Sequence, residues 1–362
     1  MSAEKRWVIK PQGDPAKVEN LSAALGIPPV LANLLVQRGI ETHEEAWQFF
    51  NPKLENLHDP FLMKDMDKAV ERILLAKKNN EKITIYGDYD VDGITSIAIL
   101  YKYLKNMGLE VGFYVPDRMV EGYGVNKDAL DKIKADGTAV IITVDTGITA
   151  IEEADYAKSI GIDFIITDHH ECKESIPDVY AAIDPKRKDC EYPFKSLAGV
   201  GVVFKLIQAL DSSEPIENLM DEYADLMCLG TVADISPLID ENRVIVTEGL
   251  KRFKTTKNIG LKALIDVSTN GKAITTSTIG YTIAPRINAS GRLGCASTSV
   301  ELFLTEDEEE AAKLADSLCH ENTLRQQTEQ KRRWNILNSI LELRMMIFWL
   351  FLMRTGTMVL SV

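Results

Sequence analysis

The chain has 362 residues, of which 45% are hydrophobic and 26% charged, and its formal net charge is −13. This composition is typical of a globular protein of about two or three domains and excludes collagen-like and largely disordered chains. The negative charge argues against a protein that coats nucleic acid non-specifically, because such binding needs lysines and arginines facing the phosphates. It does not exclude a nuclease with a local basic groove and bound cations.

The N-terminal sequence and the cysteines bear on the compartment. The five cysteines are scattered and form no C-x-x-C pair, so neither a disulfide framework nor a zinc site is expected. The first ten residues, MSAEKRWVIK, contain no apolar signal core. The apolar run from Met345 to Met353 is too short to cross a bilayer. These features predict a cytoplasmic protein with no membrane segment.

Residues 7–78 are predicted to form a helical region, because runs such as 30–35 and 69–77 carry apolar residues at helical spacing. No group of reactive side chains stands out in this region. From Lys82 onward, predicted strands alternate with predicted helices. The strands are at 83–86, 111–115, 139–144, 164–167 and 179–183, and the helices at 94–107, 126–134 and 149–159. This alternation predicts an α/β fold with a mostly parallel, doubly wound sheet.

After Asp240 the periodicity is weaker. Segments 250–265 and 308–340 are predicted to be helices, and the second is largely polar outside its apolar stripe, as expected of a long helix that connects domains. The predicted domains are residues 1–78, 79–240 and 241–344, followed by an anomalous tail at 345–362.

Acidic residues follow three of the predicted strands. They are Asp88, Asp90 and Asp92 after the first strand, Asp145 after the strand at 139–144, and Asp168 with His169 and His170 after the strand at 164–167. A further acid, Asp234, follows the run GTVA. Because ligands of such sheets bind beyond the carboxyl ends of the strands, we expect the first three sets to converge there.

Clustered carboxylates repel one another and are costly to bury, and two divalent cations would neutralise about four of them. Aspartate with histidine suits Mn²⁺, or Mg²⁺ less selectively. Two such ions form the usual clamp for phosphoryl chemistry. A calcium loop at 88–93 is disfavoured, because its twelfth position would be Ile99 rather than a glutamate and a strand precedes it. A lone aspartate at a strand end more often caps a turn or helix, but the joint pattern favours a metal site.

Four motifs in this order are similar to the signatures of the DHH phosphoesterases. They are YGDYDVDGITS at 86–96, VDTGI around Asp145, TDHHE around Asp168, and GTVADISPL at 230–238. The flanking segments PDRMVEGYGVN, YPFKSLAGVGVVFKL and IAPRINASGRLG resemble the bacterial RecJ exonucleases within that superfamily. The resemblance extends over residues 5–344. It implies hydrolysis of single-stranded DNA from the 5′ end, by two-metal activation of water with Mn²⁺ or Mg²⁺, in repair and recombination.

The resemblance also implies roles for single residues. The implied metal ligands are Asp90, Asp92, Asp145, His169 and Asp234, with Asp145 between the two ions. The implied catalytic residues are Asp88, a further ligand or an acceptor beside one, Asp168, which would orient its neighbours, and His170, which would face the scissile phosphate. The implied phosphate-binding residues are Arg118, Arg286, Asn288 and Arg292, because an arginine fork suits a phosphodiester.

The tail departs from the resemblance. After Leu343 the sequence RMMIFWLFLMRTGTMVLSV continues neither the helical pattern nor the family, which extends into a second substrate-binding domain. A frameshift or a mis-assigned reading frame is the expected explanation. Exposure of Phe348, Trp349, Leu350 and Phe351 would favour aggregation.

Two other classes of function stay open. Another DHH phosphoesterase, such as an oligoribonuclease, a cyclic-dinucleotide phosphodiesterase or a manganese pyrophosphatase, would share the metal motifs. A non-catalytic replication scaffold on the same fold should have lost metal ligands, whereas this chain retains the full set. The expected partner is single-stranded DNA, with a repair helicase or a single-strand-binding protein as further candidates.

Overall fold

The computed structural model describes residues 8–118, 121–122, 124–269, 271–293 and 296–355, with the side chains of 292–293 and 348–355 left out. Cys295 and the last seven residues of the chain therefore lie outside the described residues.

The N-terminal region is helical, as predicted. Its helices are α1 (Pro15–Leu25), α2 (Pro29–Val36), α3 (His43–Phe50) and α4 (Met66–Asn79), with 3₁₀ turns at Leu54–Asn56 and Pro60–Leu62. The first three pack around a small core of their own, which includes Leu21 and Leu35. Helix α3 starts with a capping box, in which the Thr42 hydroxyl accepts from the Glu45 backbone N–H.

A five-stranded parallel sheet follows, which confirms the predicted fold class. Its strands are β1 (Lys82–Gly87), β2 (Val111–Tyr114), β3 (Thr138–Val144), β4 (Asp163–Thr167) and β5 (Ala181–Ile183). Their order is β2-β1-β3-β4-β5. The chain moves from β1 to β2 on one side and then returns to β3 on the other, so the gap between the ends of β1 and β3 is the switch point where such sheets bind ligands.

Helices cover both faces of the sheet. They are α5 (Val91–Asn106), α6 (Lys127–Ala135), α7 (Ile151–Ser159), α8 (Gly199–Leu210) and α9 (Ile216–Ala233). Ile142 of β3 faces the larger core, with α4, α5, α8 and α9, while Ile141 faces a smaller core with α6 and α7. Strands β1, β3, β4 and β5 are almost entirely buried, which explains their nearly continuous apolar sequences, whereas the edge strand β2 is mostly half-buried.

The C-terminal part is entirely helical among the described residues. Its helices are α10 (Asp240–Arg252), α11 (Ile259–Thr269), α12 (Thr276–Thr278), α13 (Ala284–Leu293), α14 (Ser297–Leu304) and α15 (Glu308–Thr355), with a π-helical turn at Ile279–Ile283. The single helix predicted at 250–265 is wrong. The chain instead breaks after Arg252, and Asn258 caps α11 by accepting from the Leu261 N–H.

The helical pattern also does not end at Leu343, because α15 continues without a break to Thr355. The predicted exposure of Phe348, Trp349, Leu350 and Phe351 lies outside the described side chains. The division into domains stays a prediction. Within the described part of the chain, no single helix is both long enough and apolar enough to cross a membrane.

Candidate metal centre

Aspartates follow four neighbouring strands at the same edge of the sheet. The ladder pairs Gly87 with Val144, Val144 with Thr167, and Thr167 with Ile183. The next residue after each is an aspartate, and these are Asp88, Asp145, Asp168 and Asp184. The predicted convergence of the first three is confirmed, and Asp184 is a fourth acid that the sequence analysis missed, although its position directly after a predicted strand was a usable signal.

Asp90 and Asp92 lie where the loop after β1 enters α5. Asp90 caps the helix, and one carboxylate oxygen accepts from the backbone N–H groups of Asp92 and Gly93. Both oxygens of Asp92 accept from the start of α8, at 2.7 Å from Gly199 N and 2.9 Å from Val200 N. The positive end of that helix dipole favours the ionised form of Asp92 and fixes its orientation.

Asp145 lies at the centre of the cluster. It is buried and takes a left-handed backbone conformation with φ 58°, which is uncommon for residues with a side chain and is best tolerated by aspartate and asparagine. Its Oδ1 is 3.0 Å from Nε2 of His169. Neither atom has a hydrogen-bond partner among the described residues. Two buried lone-pair donors side by side fit a bound cation, because unsatisfied buried polar atoms are otherwise costly.

Asp234 comes from a helix end rather than a strand end. It caps the C-terminus of α9, where the helix dipole disfavours a carboxylate. One of its oxygens accepts from the Ser236 hydroxyl at 2.5 Å. A cation beside it would offset the unfavourable dipole.

The possible ligand atoms form three groups, and within each group they lie no more than 4.8 Å apart. The groups are Asp88 with Asp90 and Asp145, Asp92 with His169 and Asp234, and Asp145 with His169 and His170. All five predicted metal ligands are therefore brought together. Asp145 belongs to the first and third groups, and His169 belongs to the second and third, so these two residues connect the three groups. Asp88 and His170 also lie near enough to be ligands.

The carboxylates are held in unfavourable electrostatic surroundings. Burial, aided by the charge of Asp90, raises the pKa of Asp88 to about 7. Burial first and neighbouring carboxylates second raise the pKa values of Asp92 and Asp145 well above the ordinary range. Removing such charges from water without compensation is costly, so a bound cation would favour the ionised forms of Asp88, Asp92 and Asp145 at neutral pH.

Asp168 and His170 form a separate pair. One oxygen of Asp168 accepts from the His169 and His170 backbone N–H groups and lies 2.7 Å from Nδ1 of His170, and the other accepts from Ile148 N. Burial opposes ionisation of Asp168, but the bonds from His170 outweigh it and lower the pKa. The same bond raises the pKa of His170 to about 9. These bonds fix the orientation of His170 relative to Asp168, and the catalytic role that the resemblance implies for Asp168 stays a prediction.

Two glycines let helices approach the cluster. A Cβ on Gly199 would lie 2.8 Å from Oδ1 of Asp145, and a Cβ on Gly230 would collide with the Thr95 hydroxyl and lie 2.9 Å from Oδ1 of Asp92. A side chain at either position would have to displace these atoms. These glycines could not be singled out from the sequence, because only the folded structure shows which atoms surround them.

The predicted phosphate-binding residues differ in their surroundings. The guanidinium of Arg118 lies 5.2 Å from the ring centre of Tyr89, beside Asp88 and Asp90. Arg286 instead donates to the carbonyl of Thr282 and lies 3.2 Å from the sulfur of Cys319 on α15. Its role at a phosphate stays a prediction. Asn288 is half-buried on α13, and the side chain of Arg292 lies outside the described residues.

Known proteins are similar to this chain in sequence. The model of the DHH family, N-terminal domain, matches residues 82–231. The single-stranded-DNA-specific exonuclease RecJ of Bacillus subtilis is 46% identical over 91% of this chain and 42% of its own length. RecJ of Salmonella typhimurium is 36% identical over 84% of this chain and 54% of its own length. The chain spans about half the length of these curated relatives.

Solved structures of RecJ proteins are similar to this chain in fold. The Mn²⁺ complex of RecJ from Thermus thermophilus superposes with a TM-score of 0.74 at 31% identity, over 89% of this chain and 46% of that chain. A manganese-bound exonuclease RecJ gives a TM-score of 0.70 at 34% identity, over 77% of this chain and 70% of that chain. With the metal-site motifs and the fold in agreement, the chain belongs to the DHH family and, within it, to the RecJ group.

Proposed function

We propose that this chain hydrolyses phosphodiester bonds of single-stranded DNA from the 5′ end, using two Mn²⁺ or Mg²⁺ ions. The observation that carries the proposal is a pair of neighbouring ligand groups, which meet where Asp145 of one lies 3.0 Å from His169 of the other. One comprises Asp88, Asp90 and Asp145, and the other Asp92, His169 and Asp234. Relatives named for this activity, and manganese-bound structures of the same group, support it.

Each protein group has a distinct part in the proposed reaction. When bound, the metals would supply an acidified water and stabilise charge on the phosphoryl oxygens. Asp90, Asp92, Asp145, His169 and Asp234 would hold them, and α8 keeps the Asp92 carboxylate in one orientation. His170, protonated through its bond to Asp168, would donate to the phosphate. Arg118 is exposed and its guanidinium lies over the ring of Tyr89, next to Asp90 in the chain, so it would bind a substrate phosphate there.

The first test measures metal binding and polarity together. Calorimetric titration with Mn²⁺ should show two sites. A 5′-labelled oligonucleotide should release labelled mononucleotide at once, while a 3′-labelled one should shorten gradually, and a blunt duplex should be resistant. A single Mn²⁺ site, or digestion that starts at the 3′ end, would contradict the proposal.

Substrate choice separates this function from its alternatives. Rates on pyrophosphate, a cyclic dinucleotide, a short RNA and a long DNA oligonucleotide should be compared at the same Mn²⁺ concentration. We expect the DNA to be preferred. Preference for any of the other three would instead indicate another DHH phosphoesterase, and no hydrolysis despite Mn²⁺ binding would favour a scaffold.

The cellular setting is part of the same proposal. A repair and recombination role, a helicase or single-strand-binding partner, and a cytoplasmic location all follow from the proposed activity. Co-purification from cells with damaged DNA would test the partners.

A further inference from the structure

Tyr281 presents an aromatic ring to solvent from a rigid position. Its relative exposure is 87%, whereas Ile279 and Ile283, on either side of it in the π-helical turn, are completely buried. The buried isoleucines hold the turn in place, so the ring is presented outward. Turns of this kind are rare and often occur at functional sites. A single exposed apolar residue needs no explanation, but Tyr281 also lies in a particular place relative to α13 and the metal centre.

The π-helical turn continues directly into α13. Helical periodicity places Pro285 about one turn after Tyr281 and Asn288 about one turn further, so the three follow one face. All three are at least partly exposed. Arg286 points away from this face, and its guanidinium donates to the Thr282 carbonyl and the Cys319 sulfur. The Tyr281 face of this helix is therefore accessible to solvent.

The far end of α13 reaches the metal centre. A Cβ on Gly291 would lie 2.8 Å from the carbonyl oxygen of Tyr89, the residue between Asp88 and Asp90. Tyr281 precedes Gly291 by ten positions, which corresponds to about 15 Å along a helix at 1.5 Å per residue. A stacked strand rises about 3.4 Å per nucleotide. The ring is thus about four nucleotides from the metal centre.

We propose that Tyr281 is a base-stacking contact for single-stranded DNA, at about the third to fifth nucleotide from the reacting end. The inference rests on the proposed function. A neutral aromatic ring accepts any base, because every base has a π face, and this suits a nuclease without sequence preference. It also suits a chain of net charge −13, which cannot rely on many phosphate contacts.

The experiment removes either the ring of Tyr281 or the base that it would contact. Affinities are measured by fluorescence anisotropy, with Mn²⁺ and a ten-nucleotide strand whose linkages resist hydrolysis. Nucleotides three to five are present either as normal residues or as abasic ones. The proteins are wild type, Tyr281→Ala, Tyr281→Phe, and a control, Trp47→Ala, which removes another exposed aromatic ring from the distant helix α3.

Tyr281→Ala should weaken binding of the normal strand roughly 5- to 150-fold, the usual effect of losing one stacked base. On the abasic strand the same substitution should have little further effect, since the base is already missing. Tyr281→Phe, which keeps the ring, should bind like wild type, as should Trp47→Ala. Equal affinities of wild type and Tyr281→Ala for the normal strand would overturn this inference alone. No binding of single-stranded DNA by wild type would overturn the proposed function as well.

Discussion

At the residue scale, Asp145 combines burial, a left-handed backbone and an unsatisfied oxygen beside His169. Asparagine tolerates the same backbone conformation and has the same shape, but it removes the charge. The Asp145→Asn variant therefore separates metal binding from folding.

Asp145→Asn should make the metal-free protein more stable, because it removes a carboxyl group that, without a cation, must either take up a proton or carry an uncompensated buried charge, its pKa being raised by burial and by Asp92. Mn²⁺ at about 100 times its dissociation constant should raise the free energy of unfolding of wild type by about 2.7 kcal/mol for each site that it fills. In the variant the increase should be below about 1 kcal/mol at the same concentration. Urea unfolding with Mn²⁺ and with EDTA measures both effects. Asp178→Asn, at an exposed acid paired with Lys158, is the control.

A second prediction at this scale concerns Asp184, which is fully buried and lies 3.8 Å from the Cys172 sulfur. Burial, opposed by the hydrogen bond from Lys186 N, raises the pKa of Asp184 to about 7. A carboxyl group with a raised folded-state pKa stabilises the protein below about pH 4, and this stability is lost as the pH rises through about 7. Asp184→Asn, which cannot ionise, should escape that loss.

The variant and wild type should be equally stable near about pH 4. At about pH 8 the variant should be more stable, by up to about 4 kcal/mol. Unfolding curves at several pH values in EDTA provide the comparison. A difference that does not change with pH would show that Asp184 is not the titrating group.

At the element scale, helix α8 links the two halves of the metal centre. Its first backbone N–H groups hold Asp92, and its first residue, Gly199, leaves space for Asp145. The helix thus positions two acids that belong to different loops. This explains how the sequence AGVG, which has no reactive side chain, contributes to the site.

Gly199→Ala should disturb the centre without unfolding the protein. The added Cβ would lie 2.8 Å from Oδ1 of Asp145 and would displace it, although alanine is the better helix former by about 0.5–1 kcal/mol. We expect weaker Mn²⁺ binding by calorimetry and slower hydrolysis, at nearly unchanged stability. The control is Gly201→Ala in the same helix, where the new Cβ would meet only a flexible end of Leu197, at 3.0 Å. Unchanged Mn²⁺ affinity in Gly199→Ala would contradict this account.

At the scale of the whole molecule, the net charge of −13 and the limited length set the expected DNA affinity. The chain matches 42% of the length of the B. subtilis relative. Each phosphate contact on a single strand contributes about 0.7 to the slope of log affinity against log salt. We expect weak binding to a long single strand, with a shallower slope than that of the B. subtilis protein. Anisotropy titrations from about 50 to about 200 mM salt test this, and equal slopes would show that this chain alone supplies the contacts.

In the same comparison with the B. subtilis protein, this chain should show a smaller loss of affinity for short oligonucleotides than for long ones. All proposed metal ligands lie before Asp240 and are brought together by the sheet and its covering helices. The centre therefore needs no further chain to assemble, whereas a long strand needs more surface.

The sequence by itself determined the parallel sheet and three of the four acids that directly follow its strands, Asp88, Asp145 and Asp168, whereas the roles of the five predicted metal ligands stay predictions. These signals are local, since β-branched runs indicate strands and a strand end shows where its neighbouring acid will lie. Only the tertiary structure decided which groups surround those acids. Gly199 contacts Asp92 across 107 positions, Asp184 joins through the pairing of β5 with β4, and Arg286 turns to Cys319 on α15. Such contacts depend on how helices pack over the sheet, and packing is a property of the whole chain rather than of any local pattern.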